Sequence, residues 1–238
     1  MVSALCLSNL QSHAQNSTKA LKIDYQVLMQ KEDKAVSAQL YIYSKSAYYT
    51  TNYDDSITQA LGSSSESILD TSSAMQMRYN RPSDSFYYTA KMKRVHPEGV
   101  LIGEKRKTIE WNFIDSTKVI DGHPYSLAEG IFRGRKYLAW YNPEIDANKL
   151  GPWKLHGLPG AVIYAYDTTD YISFRALQVK FISEDDDLKA LVLPKLTMVS
   201  REEHRAYVEE FWKQLENIQA PEGFTYDLKA TIDRIEKE

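Results

Sequence analysis

Hydrophobic and polar positions alternate with a period of two from residue 21 to residue 181, the pattern of strands that turn one face toward a core. Ile23, Tyr25 and Val27 mark one face of a first strand; Ala38, Leu40 and Ile42 mark one face of a second. The alternation lapses between residues 54 and 73. There Gly62-Ser63-Ser64-Ser65-Glu66-Ser67 is small and polar, a surface excursion with a short helix expected around Ile68. Strands resume at Phe86-Tyr87-Tyr88, at residues 100–102 and at residues 108–114. Asp121-Gly122 suits the positive φ angles of a type I′ hairpin turn. A second hairpin is expected at Arg133-Gly134-Arg135, between a strand ending at Phe132 and one beginning at Tyr137. Asn142-Pro143 ends that strand, because proline has no N–H to give the ladder. Two more strands are predicted over residues 161–166 and 172–182.

The period changes to helical spacing over residues 201–217. Ser200 followed by Glu203 forms a capping box, and Tyr207, Val208, Phe211, Trp212 and Leu215 form an apolar stripe. Pro221 and Gly223 close the helix. No linker rich in Pro or Gly divides the chain and no repeat of fixed period runs through it, so residues 15–238 are expected to form a single domain. The predicted fold is mainly β (α+β): a curved antiparallel sheet, a half-barrel or bowl, with one C-terminal amphipathic helix packed on it.

Composition sharpens this picture at a few points. Of 238 residues 43% are hydrophobic, enough for a sizeable core, and 17 are tyrosines, which suit half-buried pleated strands. A net charge of −3 offers no field for nucleic acid or an anionic membrane. Residues 1–14 read as a signal peptide. Val2, Ala4, Leu5, Leu7 and Leu10 form its apolar run and Ser12-His13-Ala14 its cleavage site, although no Lys or Arg precedes the run. Cleavage there removes Cys6, the one cysteine, and with it disulfides, thiolate nucleophiles and cysteine-ligated zinc. No other apolar stretch approaches the ~18 residues of a membrane span. A periplasmic or secreted protein with no transmembrane segment is expected.

The most distinctive stretch lies between Trp111 and Asp167. It holds Trp111, Ile120-Asp121-Gly122, Phe132-Arg133-Gly134-Arg135, Ala139-Trp140-Tyr141, Gly151-Pro152-Trp153-Lys154 and Gly157-Leu158-Pro159-Gly160. In this order and spacing the chain resembles the family named for its Gly-Leu-Pro-Gly-Leu-Ile motif (GLPGLI), found in exported proteins of Gram-negative bacteria. Ala161-Val162 stands where the name has Leu-Ile. Tyr125 lies near the place where many members carry a cysteine. The resemblance implies an exported protein of unknown activity, and a related module precedes the catalytic domain of some secreted glycan-releasing amidases. Physically the motif reads as a corner. Pro159 and Gly160 suit positions i+1 and i+2 of a type II turn, which gives Gly160 a positive φ, and Gly157 permits close backbone approach.

Arg133 and Arg135 can grip a carboxylate, phosphate or sugar acid as a pair, or belong to a solvated hairpin with ion pairs. Trp140, Tyr141 and Trp153 can stack on a sugar or line an apolar groove, or serve as core. His156 is the best acid/base candidate, with Glu144, Asp146 or Asp167 as partner. His96, His123, His156 and His204 show no metal-binding spacing, and Glu184-Asp185-Asp186-Asp187 lacks the glycine of a calcium loop and reads as a solvated acidic turn. No metal or cofactor is expected. The resulting expectation is a non-enzymatic envelope or secreted protein. Its concave face would bind an apolar or glycan-like ligand or a protein partner, through Arg133, Arg135, Trp140, Tyr141, Trp153 and His156. The alternative is a hydrolase using His156 with an acidic partner.

Overall fold

A computed structural model describes residues 19–29, 34–44, 46–53, 75–92, 96–120, 122–183 and 191–216. The proposed signal peptide with Cys6, the Gly62–Ser67 tract, Asp121, the acidic run at 184–187 and Pro221 with Gly223 lie outside the described residues.

Twelve strands form one open sheet: β1 (Lys19–Met29), β2 (Lys34–Ile42), β3 (Ser46–Tyr53), β4 (Gln76–Asn80), β5 (Ser85–Met92), β6 (His96–Lys105), β7 (Trp111–Ile120), β8 (His123–Phe132), β9 (Arg135–Asn142), β10 (Ala161–Asp167), β11 (Ile172–Ser183) and β12 (Met198–Ser200). Their order is β12-β6-β5-β4-β3-β2-β1-β11-β10-β9-β8-β7. Two antiparallel meanders, β1 to β6 and β7 to β11, are therefore joined by one long ladder running from Lys19↔Ser183 to Met29↔Ile172. Short β12 returns to run parallel with β6, in the register Met198↔Leu101 to Ser200↔Gly103.

The alternation that predicted strands is the alternation of burial. Ile23, Tyr25 and Val27 are buried while Lys22, Asp24 and Gln26 between them are not. Across the sheet the same inner face carries Leu40, Tyr49, Met77, Phe86, Ile102, Ala139, Ala165 and Phe174. The sheet is not closed into a barrel. It nonetheless curls enough that Arg133, in the β8–β9 turn near one edge, meets Glu104 on β6 near the other at 2.8 Å.

The hairpin at Arg133-Gly134 is a two-residue loop with φ of 51° and 71°, the positive pair that a type I′ turn demands. The next strand starts at Arg135, two residues earlier than expected, because a turn of this type returns the chain to the ladder at once.

Helix α1 (Arg201–Glu216) begins with the expected reciprocal cap. The Ser200 N–H donates to Glu203 Oε2 at 2.7 Å, and the Glu203 N–H donates to Ser200 Oγ at 3.1 Å. It packs against β6 and β12. Of the anticipated stripe Val208 and Phe211 lie on the contact face and Tyr207 does not, and the side chains of Trp212 and Leu215 lie outside the described residues. Half-buried positions fall at Arg201, His204, Val208 and Phe211, while Tyr207 is 52% exposed. Two polar residues extend the seam because each has a partner on β6: Arg201 reaches Glu104 at 3.4 Å, and the His204 ring stacks on His96 with centroids 5.5 Å apart.

Candidate functional site

Residues 143–160, between β9 and β10, lie inside the bowl. This loop carries the signature, and Ala147, Leu150, Trp153, Leu155 and Leu158 in it are buried in the main core. Turn chemistry shapes it: the N–H of Asn148 donates to Asp146 Oδ1, that of Leu150 to the Ala147 carbonyl and that of Leu155 to the Pro152 carbonyl. Asn148, Lys149 and Trp153 take positive φ, uncommon for residues with a side chain. The loop is thus held in a shape it would not adopt alone. It packs down onto Leu40, Tyr49, Met77, Tyr79 and Phe86 of the inner face. The gap left there is a cavity of about 10 Å³, the limit for a single water.

One carboxylate anchors this arrangement. Glu104 on β6 pairs with Lys154 Nζ at 2.6 Å, with Arg133 Nη2 at 2.8 Å and with Arg201 Nε at 3.4 Å. The loop, the far hairpin and the helix therefore meet at a single side chain. Lys154 is only 1% exposed and Glu104 only 5%. The lysine ammonium also lies over the rings of Tyr88 at 3.9 Å and Trp153 at 4.5 Å, which offsets part of its desolvation.

A second buried pair stands apart from the first. Arg135 Nη1 donates to Asp167 Oδ2 at 2.7 Å, and Asp167 Oδ1 accepts the Tyr171 N–H at 2.7 Å. Thr169 Oγ1 donates to Oδ2 as well, at 2.9 Å. This carboxylate is fully engaged in pinning the β10–β11 turn.

His156 is buried, with its Nδ1–H donating to the Lys154 carbonyl at 2.6 Å. A carbonyl can only accept, so Nδ1 carries the proton. Burial drives the pKa of this ring down to about 4, against the opposing pull of the Lys154 backbone. Rings of Phe86 and Phe132 flank it at 5.8 and 6.1 Å. The carboxylates nominated as its partners are occupied elsewhere. Exposed Glu144 meets half-buried His123 at 3.5 Å, Asp146 caps the Asn148 turn and Asp167 holds Arg135.

Glycines of the signature serve close packing around Trp111. The indole N–H donates to the His156 carbonyl at 2.7 Å. A Cβ on Gly157 would meet that indole at 3.3 Å, and one on Gly130 would meet it at 2.9 Å. Gly157 makes the close approach expected of it, but the positive φ expected at Gly160 falls on Gly157 as well. Gly157 holds the positive φ, 100°, whereas Gly160 is absent from the positive-φ glycines. Gly160 is required instead because a Cβ there would overlap the Asn142 carbonyl oxygen. Strand β10 starts directly against the end of β9, and only a bare backbone fits.

The six residues singled out from sequence thus divide. Trp153 and His156 line the small internal gap together with Lys154. Arg133 joins them through Glu104, and Arg135 belongs to the separate Asp167 pair. Tyr141 is buried on the inner face, whereas half-buried Trp140 points to the outer face. Glu104, Lys154 and Arg201 were not foreseen. The one available signal was Lys154 itself, a charge set between Trp153 and Leu155 in an otherwise apolar stretch.

Among the described residues no group of three or more His, Cys, Asp or Glu is placed to hold a metal ion. None of the described helices is long and apolar enough to cross a membrane.

No family model matches the chain. No curated protein sequence matches it either. Among solved structures it is similar to PNGF-II in two crystal forms. In the C2 form the identity is 15% with a TM-score of 0.54, over 81% of this chain and 33% of that one. In the P21 form the figures are 14%, 0.53, 81% and 33%. The chain therefore spans about a third of the length of PNGF-II. A weaker likeness, 9% identity with a TM-score of 0.32 over 73% of this chain and 90% of the other, is to a putative outer membrane lipoprotein-sorting protein domain from Vibrio parahaemolyticus. At these identities the PNGF-II likeness is one of fold.

Proposed function

We propose that this chain is an exported envelope or secreted protein of the GLPGLI family that works by binding rather than catalysis. Residues 15–238 would act as one domain after removal of residues 1–14. The observation that carries the reading is the state of its chemistry-bearing side chains. His156, the one acid/base candidate beside the signature, is kept neutral by burial with its Nδ1–H tied to the Lys154 carbonyl, and each carboxylate nominated as its partner is engaged elsewhere. Arg133 and Arg135 are spent on buried ion pairs that fasten the bowl. Such groups hold a scaffold; a general base needs a proton to take within hydrogen-bond reach. A scaffold of this kind serves recognition of an apolar or glycan-like molecule or of an envelope protein. The fold likeness to part of PNGF-II is consistent with the related-module idea that the family resemblance implies.

The test is expression of the full chain with its own N-terminus, followed by fractionation, N-terminal sequencing and mass spectrometry of whatever co-purifies. The expected product begins at Gln15, lies outside the cytoplasm and carries a small molecule. Cytosolic protein that keeps Met1 would overturn export. Turnover of an ester, amide or glycoside that is lost in His156→Gln would overturn the non-catalytic reading.

A further inference from the structure

Two groups of aromatic side chains on the outer face of the sheet differ in how deeply they are buried. Near the β1–β2–β3 end, Tyr41 and Tyr43 form a small second core with Ala20, packed against Tyr48, Ile182 and Leu191. Those rings are covered. On β9 and β10 the outward residues are Trp140, Tyr164 and Tyr166, all half-buried. Trp140 pairs directly with Tyr164 across the ladder, and Tyr164 lies beside Tyr166 with ring centroids 5.3 Å apart. Leu127 and Leu138, opposite Trp140 and Tyr166, extend the same surface.

Charge says what kind of molecule fits. Lys118 from edge strand β7 lies 4.3 Å over the Trp140 ring, and Arg175 from β11 lies 5.7 Å over Tyr164. Both are exposed, and among the described residues neither has a carboxylate partner. Elsewhere on this face Lys22 meets Asp24 at 3.8 Å and Lys136 meets Glu129 at 2.7 Å. Asp170, in the β10–β11 turn, acts on the Tyr164 hydroxyl from one side and is opposed there by Arg175. Flat half-exposed rings beside two unmatched cations call for a ligand with apolar faces and negative charge.

We propose that Trp140, Tyr164 and Tyr166 form a stacking platform on the outer face for an acidic polysaccharide, with Lys118 and Arg175 taking its carboxylate or sulfate groups. Sugar rings pack against the exposed part of the aromatic row while the two cations, which lie over Trp140 and Tyr164, take the charge. Single-stranded nucleic acid shares the need for stacking and cations; the glycan-like ligand of the reading above favours the polysaccharide, and poly-dT in the test below separates the two. The proposal rests on the binding reading above, and the two fail separately. An acidic glycan that is cleaved removes the non-catalytic reading and keeps the platform. A protein that carries an apolar molecule and ignores acidic polymers removes the platform and keeps the reading.

Affinity electrophoresis of the full chain in gels containing polygalacturonate, chondroitin sulfate, neutral dextran or poly-dT tests it. Retardation is expected with one or both acidic polymers and not with dextran. Trp140→Ala and Tyr164→Ala should each weaken it at least tenfold, with the melting temperature recorded in parallel. The Lys118→Gln/Arg175→Gln double variant changes only exposed side chains; it should lose retardation and its salt dependence. Wild type that migrates unretarded in both acidic polymers, tighter binding to poly-dT, or a double variant retained as strongly as wild type would each overturn the proposal.

Discussion

The indole N–H of Trp111, at the start of edge strand β7, donates to the carbonyl oxygen of His156 at 2.7 Å across 45 residues of chain. This bond ties the last strand of the sheet to the loop that fills it. Apart from it β7 is held by its ladder to β8 and by ring contacts to β9, Phe113 with Tyr141 and Lys118 over Trp140.

Replacing Trp111 by Phe should keep most of the packing and lose the hydrogen bond, at a cost of about 1 kcal/mol. Hydrogen exchange at the Gly157 amide, which donates to the Lys149 carbonyl, should quicken more than exchange in β1. Gly130→Ala should cost more than Trp111→Phe, about 1–3 kcal/mol, because the new methyl group meets the indole and the Glu110 carbonyl. Urea denaturation of the two variants ranks them; the reverse order would show that the indole moves aside freely.

Gly160→Ala should destabilise by about 2 kcal/mol or more, through collision rather than backbone strain. The φ of Gly160 suits any residue, yet the Asn142 carbonyl fills the space a Cβ needs. Substitution at Gly122 makes the contrast. That glycine has a φ of 78° and nothing within reach of a Cβ, so Gly122→Asn should be nearly silent, since Asn tolerates positive φ. Equal losses at the two positions in thermal melts would sink the distinction.

These two glycines show where sequence reasoning ends. Strand positions were legible because burial alternates within each strand, as in β1, and the cap of α1 because its two partners sit three residues apart. Hairpin chemistry at Arg133-Gly134 was equally local. The choice between positive φ and close approach at Gly157 and Gly160 was not, since it depends on where Asn142 and Trp111 arrive. The Glu104 meeting point was invisible for the same reason. Its partners lie 29, 50 and 97 residues further along the chain, and only the curl of the sheet brings them together. Trp140 and Tyr141 are adjacent in sequence, and the pleat sends them to opposite faces.

Acid should weaken the fold before its carboxylates titrate. His156 and His204 are both driven to about 4 by burial, and His96 is lowered for the same reason. An unfolded histidine binds a proton near pH 6.5, so between that pH and about 4 the unfolded chain holds more protons than the folded one. Stability is therefore full above pH 6.5 and falls as pH drops toward 4. Asp84, Glu129 and Glu203, whose pKa values are lowered, add their losses only below their own ordinary range. Denaturant midpoints measured from pH 7.5 to 4.5 should decline, and His204→Gln should flatten the decline. A midpoint independent of pH across that window would show that these rings stay accessible to protons in the folded state.

Glu104 and Lys154 should respond very unequally to neutralisation, although they form one ion pair. Glu104→Gln leaves three cations facing a neutral amide, one of them on a side chain only 1% exposed. Removing one partner from a buried pair costs about 3–5 kcal/mol, because the remaining charge keeps its desolvation penalty. Lys154→Met instead leaves Glu104 with Arg133 at 2.8 Å and Arg201 at 3.4 Å. Methionine also fills similar volume and keeps a favourable contact with the rings of Tyr88 and Trp153. Its cost should therefore stay below the ~3 kcal/mol floor of that range. The two variants also differ in where the damage appears. Glu104→Gln loosens the loop, the β8–β9 hairpin and the start of α1 together, and Lys154→Met loosens the loop alone. Equilibrium denaturation gives the ranking and hydrogen exchange gives the places. If Lys154→Met proved the more damaging, the ammonium rather than the carboxylate would be what the interior is organised around.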